Sequence, residues 1–339
     1  MAGAGVPLLA SCASGIEPRR NASLEDFARS LNVSAATYAV LRSGQPVATQ
    51  AVTGATDAIF QAASLTKPVV AFAALKMVQA GRLELAAPVS HYLAGGYRHF
   101  HDPLRRSVRD SFDLVPAKIL EQVTVAQLLN HSSGFPNWSS KPLAFISEPG
   151  QGWSYSGEGY VLLQSVIEAV TRTELAAYLD RDIFGPLGMS DTSLVWRGAF
   201  DQRAVAGRMV FGLSRRARFQ SGLAASTLYT TATDYARFMS AFLAGDAMVQ
   251  MVLAKPVEVS KPLGLAWGLG WGIERGTNGA CIWQWGNNPG FRAFAMASTT
   301  SKDGFVILAN SERGMSLAAA IAQEVLPFEH AAFRFPPVA

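Results

Sequence analysis

Charge is scarce in this chain. Of 339 residues only 16% are Asp, Glu, Lys or Arg, while 49% are hydrophobic. Such a chain can bury a substantial core and is not a disordered polyelectrolyte. Its net charge is only +4. Nucleic-acid binding ordinarily shows as a Lys/Arg stripe. The best candidate for such a stripe, Arg98, Arg105, Arg106 and Arg109, has little lysine and no aromatic ladder beyond Tyr97 and Phe100. It reads as a solvated loop, with a patch for an acidic ligand as the alternative, and no nucleic-acid partner is expected.

Cysteine is nearly absent. Cys12 and Cys281 are the only two. That excludes a disulfide framework and a CxxC metal motif, so both are expected to be free thiols. No apolar run reaches the ~18 residues of a transmembrane helix. The stretch Leu9-Ala10-Ser11-Cys12 looks like a lipoprotein cleavage box. However, no Lys or Arg precedes it and the apolar stretch is very short. Residues 1–19 are expected to form a disordered or targeting tail. The expected location is cytoplasmic as the sequence is written, and periplasmic or lipid-anchored if the true start lies upstream. Histidines occur at 91, 99, 101, 131 and 330, none in a recognisable triad context. His99-Phe100-His101 offers two metal ligands with no third nearby, a poor site. A complete Gly-x-Ser-x-Gly elbow is also missing; the nearest stretch is Gly314-Met315-Ser316-Leu317-Ala318.

What is present reads as mixed secondary structure. Residues 35–42 and 46–52 are β-rich around Ser43-Gly44-Gln45 and predict a hairpin. An alanine-rich helix is expected over 62–80, ended by Gly81. Residues 84–122 look irregular. Helices follow over 124–131, 158–170, 173–182 and 232–244, the last capped by Thr231 or Thr233. Residues 280–286, 291–298 and 304–310 read as consecutive strands, and 315–326 as a final helix. Adjacent strands with short turns argue for an antiparallel sheet. The expected class is α/β (α+β): an antiparallel sheet flanked by helices, with an inserted, mainly helical lobe and a cleft between. The length leaves room for one large domain or two closely packed ones.

Ser64-Leu65-Thr66-Lys67 is the candidate chemistry. Residues at i and i+3 share a helix face, so the Lys67 amine can reach the Ser64 hydroxyl. A serine hydroxyl is a poor nucleophile until a base takes its proton, and a desolvated lysine can act as that base. No other lysine (76, 118, 141, 255, 261, 302) has a serine three residues before it, and Lys67 interrupts an otherwise apolar stretch from Ala62 to Ala74. Ser64 is expected in the first turn of its helix, where free N–H groups face developing oxyanion charge. This chemistry calls for no metal or organic cofactor.

At these residues the chain resembles the class C β-lactamases and their serine hydrolase relatives, which include esterases and D-alanyl-D-alanine peptidases. Seven stretches match in order: AASLTKPVVAFAALKMVQAGRLEL, PVSHYL, TVAQLLNHSSGFP with the segment Trp153 to Tyr160, FGPLGMSDT, STLYTTATDYARF, WGLGWGI and WQWGNNPGF. The resemblance implies a single β-lactamase/transpeptidase-like catalytic domain over 20–330. Its sheet lobe would span about 30–80 and 205–330, and its helical lobe about 81–204. It also implies roles: Ser64 as nucleophile, Lys67 and Tyr155 as proton relay, and backbone N–H groups of Ser64 and Asn287 as oxyanion hole. A phenolate-like Tyr155 near Lys67 would take the serine proton. Gly157, Gln284, Trp285 and Gly286 would line the substrate.

The departures from the family pattern bear on substrate. The second element usually reads Tyr-x-Asn; here it is Tyr155-Ser156-Gly157. The third usually begins with Lys or His; here it begins with Gln284. Losing a charge-assisted contact costs ~1.5–3 kcal/mol for an anionic β-lactam, unless Arg292, Arg105 or Arg106 compensates. Trp138, Trp153, Trp283 and Trp285 fall near the three elements, and any that line the cleft favour an apolar acyl group. The expected activity is a carboxylesterase on small or medium esters. The alternatives are a β-lactamase or D-alanyl-D-alanine peptidase, acyl transfer, and a catalytically weak binding or sensing module. The expected partner is a small ester or amide, the oligomeric state stays open, and the 94–122 loop is expected to set specificity.

Overall fold

The computed structural model describes residues 23–106, 109–209 and 212–338, so Cys12 and the Leu9–Cys12 stretch lie outside the described residues. The chain opens with α1 (Leu24–Ser30), β1 (Ala36–Arg42), β2 (Gln45–Thr53), β3 (Phe60–Ala63) and α2 (Thr66–Gln79). Its middle holds β4 (Tyr97–Phe100), β5 (Phe112–Val115), α3 (Ala117–Leu120), α4 (Val125–Leu129), α5 (Gly157–Thr171) and α6 (Leu175–Leu179). Next come β6 (Gly207–Arg208), β7 (Ser214–Arg215), β8 (Leu228–Thr230), α7 (Ala232–Ala244) and α8 (Asp246–Ala254). The last part is β9 (Val257–Ser260), β10 (Leu265–Trp267), β11 (Gly272–Gly276), β12 (Gly279–Asn288), β13 (Phe291–Ser298), β14 (Gly304–Ala309) and α9 (Met315–Val325).

Eight strands form one antiparallel sheet in the order β2-β1-β14-β13-β12-β11-β10-β9. The N-terminal hairpin joins the C-terminal strands through β1–β14 pairing, as expected for this class. Its two-residue turn has both Ser43 (φ 48°) and Gly44 (φ 78°) in the left-handed region, the geometry that matches strand twist. Helices α1 and α9 pack on one face of the sheet; α7 and the short strand β3 pack on the other. Because both faces are covered, β14 is buried throughout and its sequence GFVILA does not alternate.

α2 is buried on nearly all sides, which is why its apolar residues show no single stripe. Thr231 caps α7 by accepting from the Asp234 N–H. Thr124 and Gln127 form a reciprocal capping box on α4. No single helix among the described residues is long and apolar enough to cross a membrane.

Three expectations need correction. The helix foreseen over 62–80 begins only at Thr66, since residues 60–63 are β3, paired with β8. The 173–182 helix is regular only to Leu179 and continues as a wider turn over Asp180–Phe184. The segment 84–122 is not irregular: β4 and β5 pair across it. Their strands are four residues long and carry Arg98, His99 and Asp113, so no apolar alternation announces them.

Candidate active site

The site begins at the turn from β3 into α2. Ala63 sits at φ 51°, a left-handed conformation unusual for a residue with a Cβ and of the kind that functional sites tolerate. Thr66 clamps this kink: its hydroxyl donates to the Ala63 carbonyl at 2.6 Å and accepts from the Leu228 N–H at 3.1 Å. Ser64 therefore stands on the turn ahead of α2, not in its first turn as the sequence implied. The Lys67 N–H bonds to its carbonyl at 3.0 Å. The i,i+3 spacing still brings Lys67 Nζ to 3.1 Å from Ser64 Oγ.

Lys67 is 1% exposed. Its amine also donates to the Ala225 carbonyl at 2.9 Å and lies 4.7 Å from the Tyr155 ring centroid. The ring faces favour the cation, but burial outweighs them and lowers the Lys67 pKa to about 7. An amine poised there donates to Ser64 while charged. Once neutral, it has a lone pair with which to take the serine proton.

Tyr155 immediately precedes the cap of α5. That cap is Ser156, whose hydroxyl accepts from Gly159 N–H at 2.8 Å and donates to the Pro136 carbonyl at 2.9 Å. The Tyr155 hydroxyl hydrogen-bonds with Ser64 and accepts from Gln284 Nε2 at 3.2 Å. Its ring packs on Trp285 (4.7 Å between centroids) and on His131 (4.3 Å). Burial pushes the phenol above its ordinary pKa, against the hydrogen bonds from Ser64 and Gln284. A phenolate at neutral pH is thus not what this environment favours, because Gln284 supplies a dipole where a cation would have lowered the value. Of the two groups, Lys67 is the one whose pKa lies near neutrality.

His131 escaped the sequence reading. It too is in the left-handed region, at φ 60°. Its Nδ1 accepts from the Ser156 N–H at 3.1 Å, so a neutral ring carries its proton on Nε2. Burial, and then the charge of Lys67, hold its pKa well below the ordinary value. It is a neutral plate behind Tyr155. The only available signal was its place inside TVAQLLNHSSGFP.

The opposite wall is β12. A Cβ on Gly286 would lie 2.4 Å from the Ala62 carbonyl oxygen, so only glycine lets this strand come alongside the Ala62–Ser64 turn. That approach sets Asn287, the exposed residue that follows, beside the turn bearing Ser64. Asn288 fixes the approach by donating to Gln61 Oε1 at 3.1 Å and to the Ser226 carbonyl at 3.2 Å. Gln284 is fully buried; its amide nitrogen also donates to the Trp285 carbonyl at 2.7 Å, while its Oε1 has no partner among the described residues.

Gly157 has a reason that the sequence did not disclose. A Cβ there would meet the Asn137 carbonyl at 2.6 Å and the Trp138 ring at 2.9 Å. The Asn137 side chain accepts from the Gly157 N–H at 3.0 Å. The space of a side chain at 157 is therefore filled by a tryptophan that stays 46% exposed. Of the four tryptophans near the elements, Trp138 stands over Gly157 and Trp285 packs on the Tyr155 ring. Trp283 is fully buried in the core, and Trp153 packs on Trp267 and Phe335 and reaches Tyr155 more distantly, at 6.2 Å between centroids. The three arginines named as stand-ins for a cation are engaged elsewhere. Arg106 pairs with Glu168 at 3.3 Å, Arg105 with Asp102 at 3.6 Å, and Arg292 folds onto the Phe291 carbonyl at 2.9 Å.

The model of the Beta-lactamase family matches residues 21–327. A penicillin-binding protein of Bacillus subtilis (strain 168) is 28% identical over 171 residues, covering 44% of this chain and 33% of that protein. Esterase EstB of Burkholderia gladioli is 31% identical over 171 residues, covering 41% of this chain and 39% of the esterase. These alignments thus span between a third and two-fifths of each relative. A class C beta lactamase structure superposes with a TM-score of 0.73 over 90% of this chain and 95% of its own, at 17% identity.

Proposed function

The chain belongs to the beta-lactamase family, and on that premise we propose that it is a serine carboxylesterase acting on small or medium esters with an apolar acyl group. One observation carries the hydrolytic half of this reading: a buried amine of pKa about 7 lies 3.1 Å from Ser64 Oγ. Neutral Lys67 takes the Ser64 proton as Oγ bonds to the ester carbonyl carbon. The resulting oxyanion is met by the N–H groups of Ser64 and Asn287, each such donor being worth ~3–4 kcal/mol in the transition state. Collapse breaks the bond to the alkoxy group, which leaves as the alcohol with a proton from Tyr155, replenished from the Lys67 ammonium. Water then attacks the acyl-Ser64 carbonyl, losing its proton by the same route, and Ser64 regains its hydrogen as the acid departs.

Substrate choice rests on the two replaced groups. Trp138 fills the space over Gly157, giving an apolar wall where an amide arm would grip an acyl-amide. Gln284 gives Tyr155 a neutral donor and offers no cation to a substrate carboxylate. Each lost charge-assisted or amide contact is worth ~1–3 kcal/mol. Together they favour a neutral ester over an anionic β-lactam by at least ~30-fold. Side-by-side kcat/KM on p-nitrophenyl butyrate and a chromogenic cephalosporin tests this. The ester is expected to be preferred by that factor or more. Faster turnover of the cephalosporin would overturn the substrate assignment.

A further inference from the structure

The hairpin β4–β5 brings together three metal-ligating side chains that are far less obvious in the sequence. In its register His99 lies opposite Asp113, and His101, two residues on, shares their face. His99 Nδ1 is 2.7 Å from Asp113 Oδ1, and His101 Nε2 is 3.1 Å from the same oxygen. All three atoms lie within 4.8 Å of one another. Tetrahedral Zn²⁺ with bonds of ~2.0–2.1 Å needs ligand atoms roughly 3.3 Å apart, so a small expansion of this cluster admits an ion. The absent third ligand that spoke against His99-Phe100-His101 in the sequence is Asp113.

The outer contacts are those that hold metal ligands in place. The far nitrogen of His99, Nε2, is 3.3 Å from Glu158 Oε2. Both atoms are buried, and neither makes a hydrogen bond elsewhere among the described residues. Without an ion, Nδ1 donates to Asp113 Oδ1; with one bound, the Glu158 carboxylate would keep the proton on Nε2 and leave the Nδ1 lone pair for the metal. Ser111 Oγ is 2.9 Å from His101 Nδ1, and the Leu143 N–H donates to Asp113 Oδ2 at 3.2 Å. His101 and Asp113 are partly exposed, leaving an entry path and an open coordination position. The other three-ligand group, Glu274, Cys281 and His330, differs. His330 is bonded at both nitrogens, to Glu274 and to the Leu326 carbonyl, and burial pushes the Cys281 thiol up to about 12.

We propose that His99, His101 and Asp113 form a binding site for a divalent transition-metal cation of the Zn²⁺ type, with Glu158 as its outer carboxylate. Two imidazoles and one carboxylate suit Zn²⁺, Co²⁺ or Ni²⁺ better than Ca²⁺ or Mg²⁺. Glu158 follows Gly157 in α5, and its Oε1 accepts from the Ser139 N–H at 2.9 Å. The ion would tie the inserted hairpin to the helix start beside Tyr155. It touches neither Ser64 nor Lys67 and takes no part in the acyl chemistry.

The full chain, stripped with chelator, is titrated with Zn²⁺ alone by calorimetry and, in parallel, with Co²⁺ by visible absorption. Binding of one ion per chain at micromolar or tighter affinity is expected, with the visible bands of low-coordinate Co²⁺. His101→Ala, at a partly exposed position, should weaken Zn²⁺ binding at least ~100-fold. Glu158→Gln, which keeps Oε1, should weaken it ~10–100-fold. Zn²⁺ should raise the Tm of the wild type but not of His101→Ala. No binding at ~100 µM Zn²⁺ would overturn the proposal and leave His99 as an imidazole bridging two carboxylates. Binding that His101→Ala leaves unchanged would overturn it equally.

Discussion

Ser64→Ala is expected to lower kcat/KM on p-nitrophenyl butyrate by about 10⁴-fold or more while leaving Tm nearly unchanged. The magnitude follows from how nucleophile and base act as a unit: loss of a serine nucleophile elsewhere costs on the order of 10⁶-fold in kcat. The residual rate comes from substrate binding and the oxyanion donors alone. Stability should barely move because alanine keeps the Ser64 backbone, and the kink at Ala63 is held by Thr66, not by the serine hydroxyl. Kinetics on both proteins, with melting curves, check the pair of outcomes.

Lys67→Met carries the second large effect, and it runs in opposite directions for rate and stability. A methionine fills the lysine's volume without its amine, so the proton acceptor disappears and kcat should fall ~10²–10⁴-fold. In the wild type, kcat/KM should climb about tenfold per pH unit below 7 and level off above it, since only neutral Lys67 is a base. For stability, the folded-state pKa of about 7 lies below the unfolded value of 10.5. Between those values the unfolded chain holds a proton that the folded chain has released, so wild-type stability rises with pH across that window. Below about pH 7 both states are protonated and the cost of burying the ammonium is felt in full. That cost is about 5 kcal/mol, against ~1–3 kcal/mol for the Ala225 carbonyl left without its donor. Lys67→Met should therefore be more stable than the wild type at pH 6, and the advantage should shrink towards pH 10. Melting curves at the two pH values read this directly.

The architecture was legible where burial writes itself into composition. The runs at 280–286, 291–298 and 304–310 read as strands because β12, β13 and β14 bury nearly every residue. α7 was readable from its cap, Thr231. The hairpin β4–β5 was not, because beside the buried Tyr97 and Val115 its inner face carries His99, His101 and Asp113, which meet one another and Glu158, a pairing only the fold creates. The start of α2 was misplaced for a backbone reason. No propensity announces an alanine at φ 51°, and that single residue moves Ser64 from a helix to the turn before it.

At the site, Ser64, Lys67, Tyr155 and Gln284 were all named from the sequence, and the fold brings them into contact. What the sequence could not give was electrostatic or steric. Whether Tyr155 or Lys67 is poised to accept the proton depends on burial, which raises one pKa and lowers the other. Gly157 read as a lost amide; the structure adds that Asn137 and Trp138 occupy its place, residues about twenty positions away. His131, lacking a triad context, became visible only through its ring contact with Tyr155.

The measurement that bears most directly on this account is covalent trapping with a fluorophosphonate, followed by peptide mapping of the labelled chain. One adduct per chain on Ser64 is predicted, forming faster as pH rises through 7 and absent from Ser64→Ala. An adduct on another residue, or labelling of Ser64→Ala at the wild-type rate, would contradict the assignment of Ser64 as the nucleophile and the mechanism built on it.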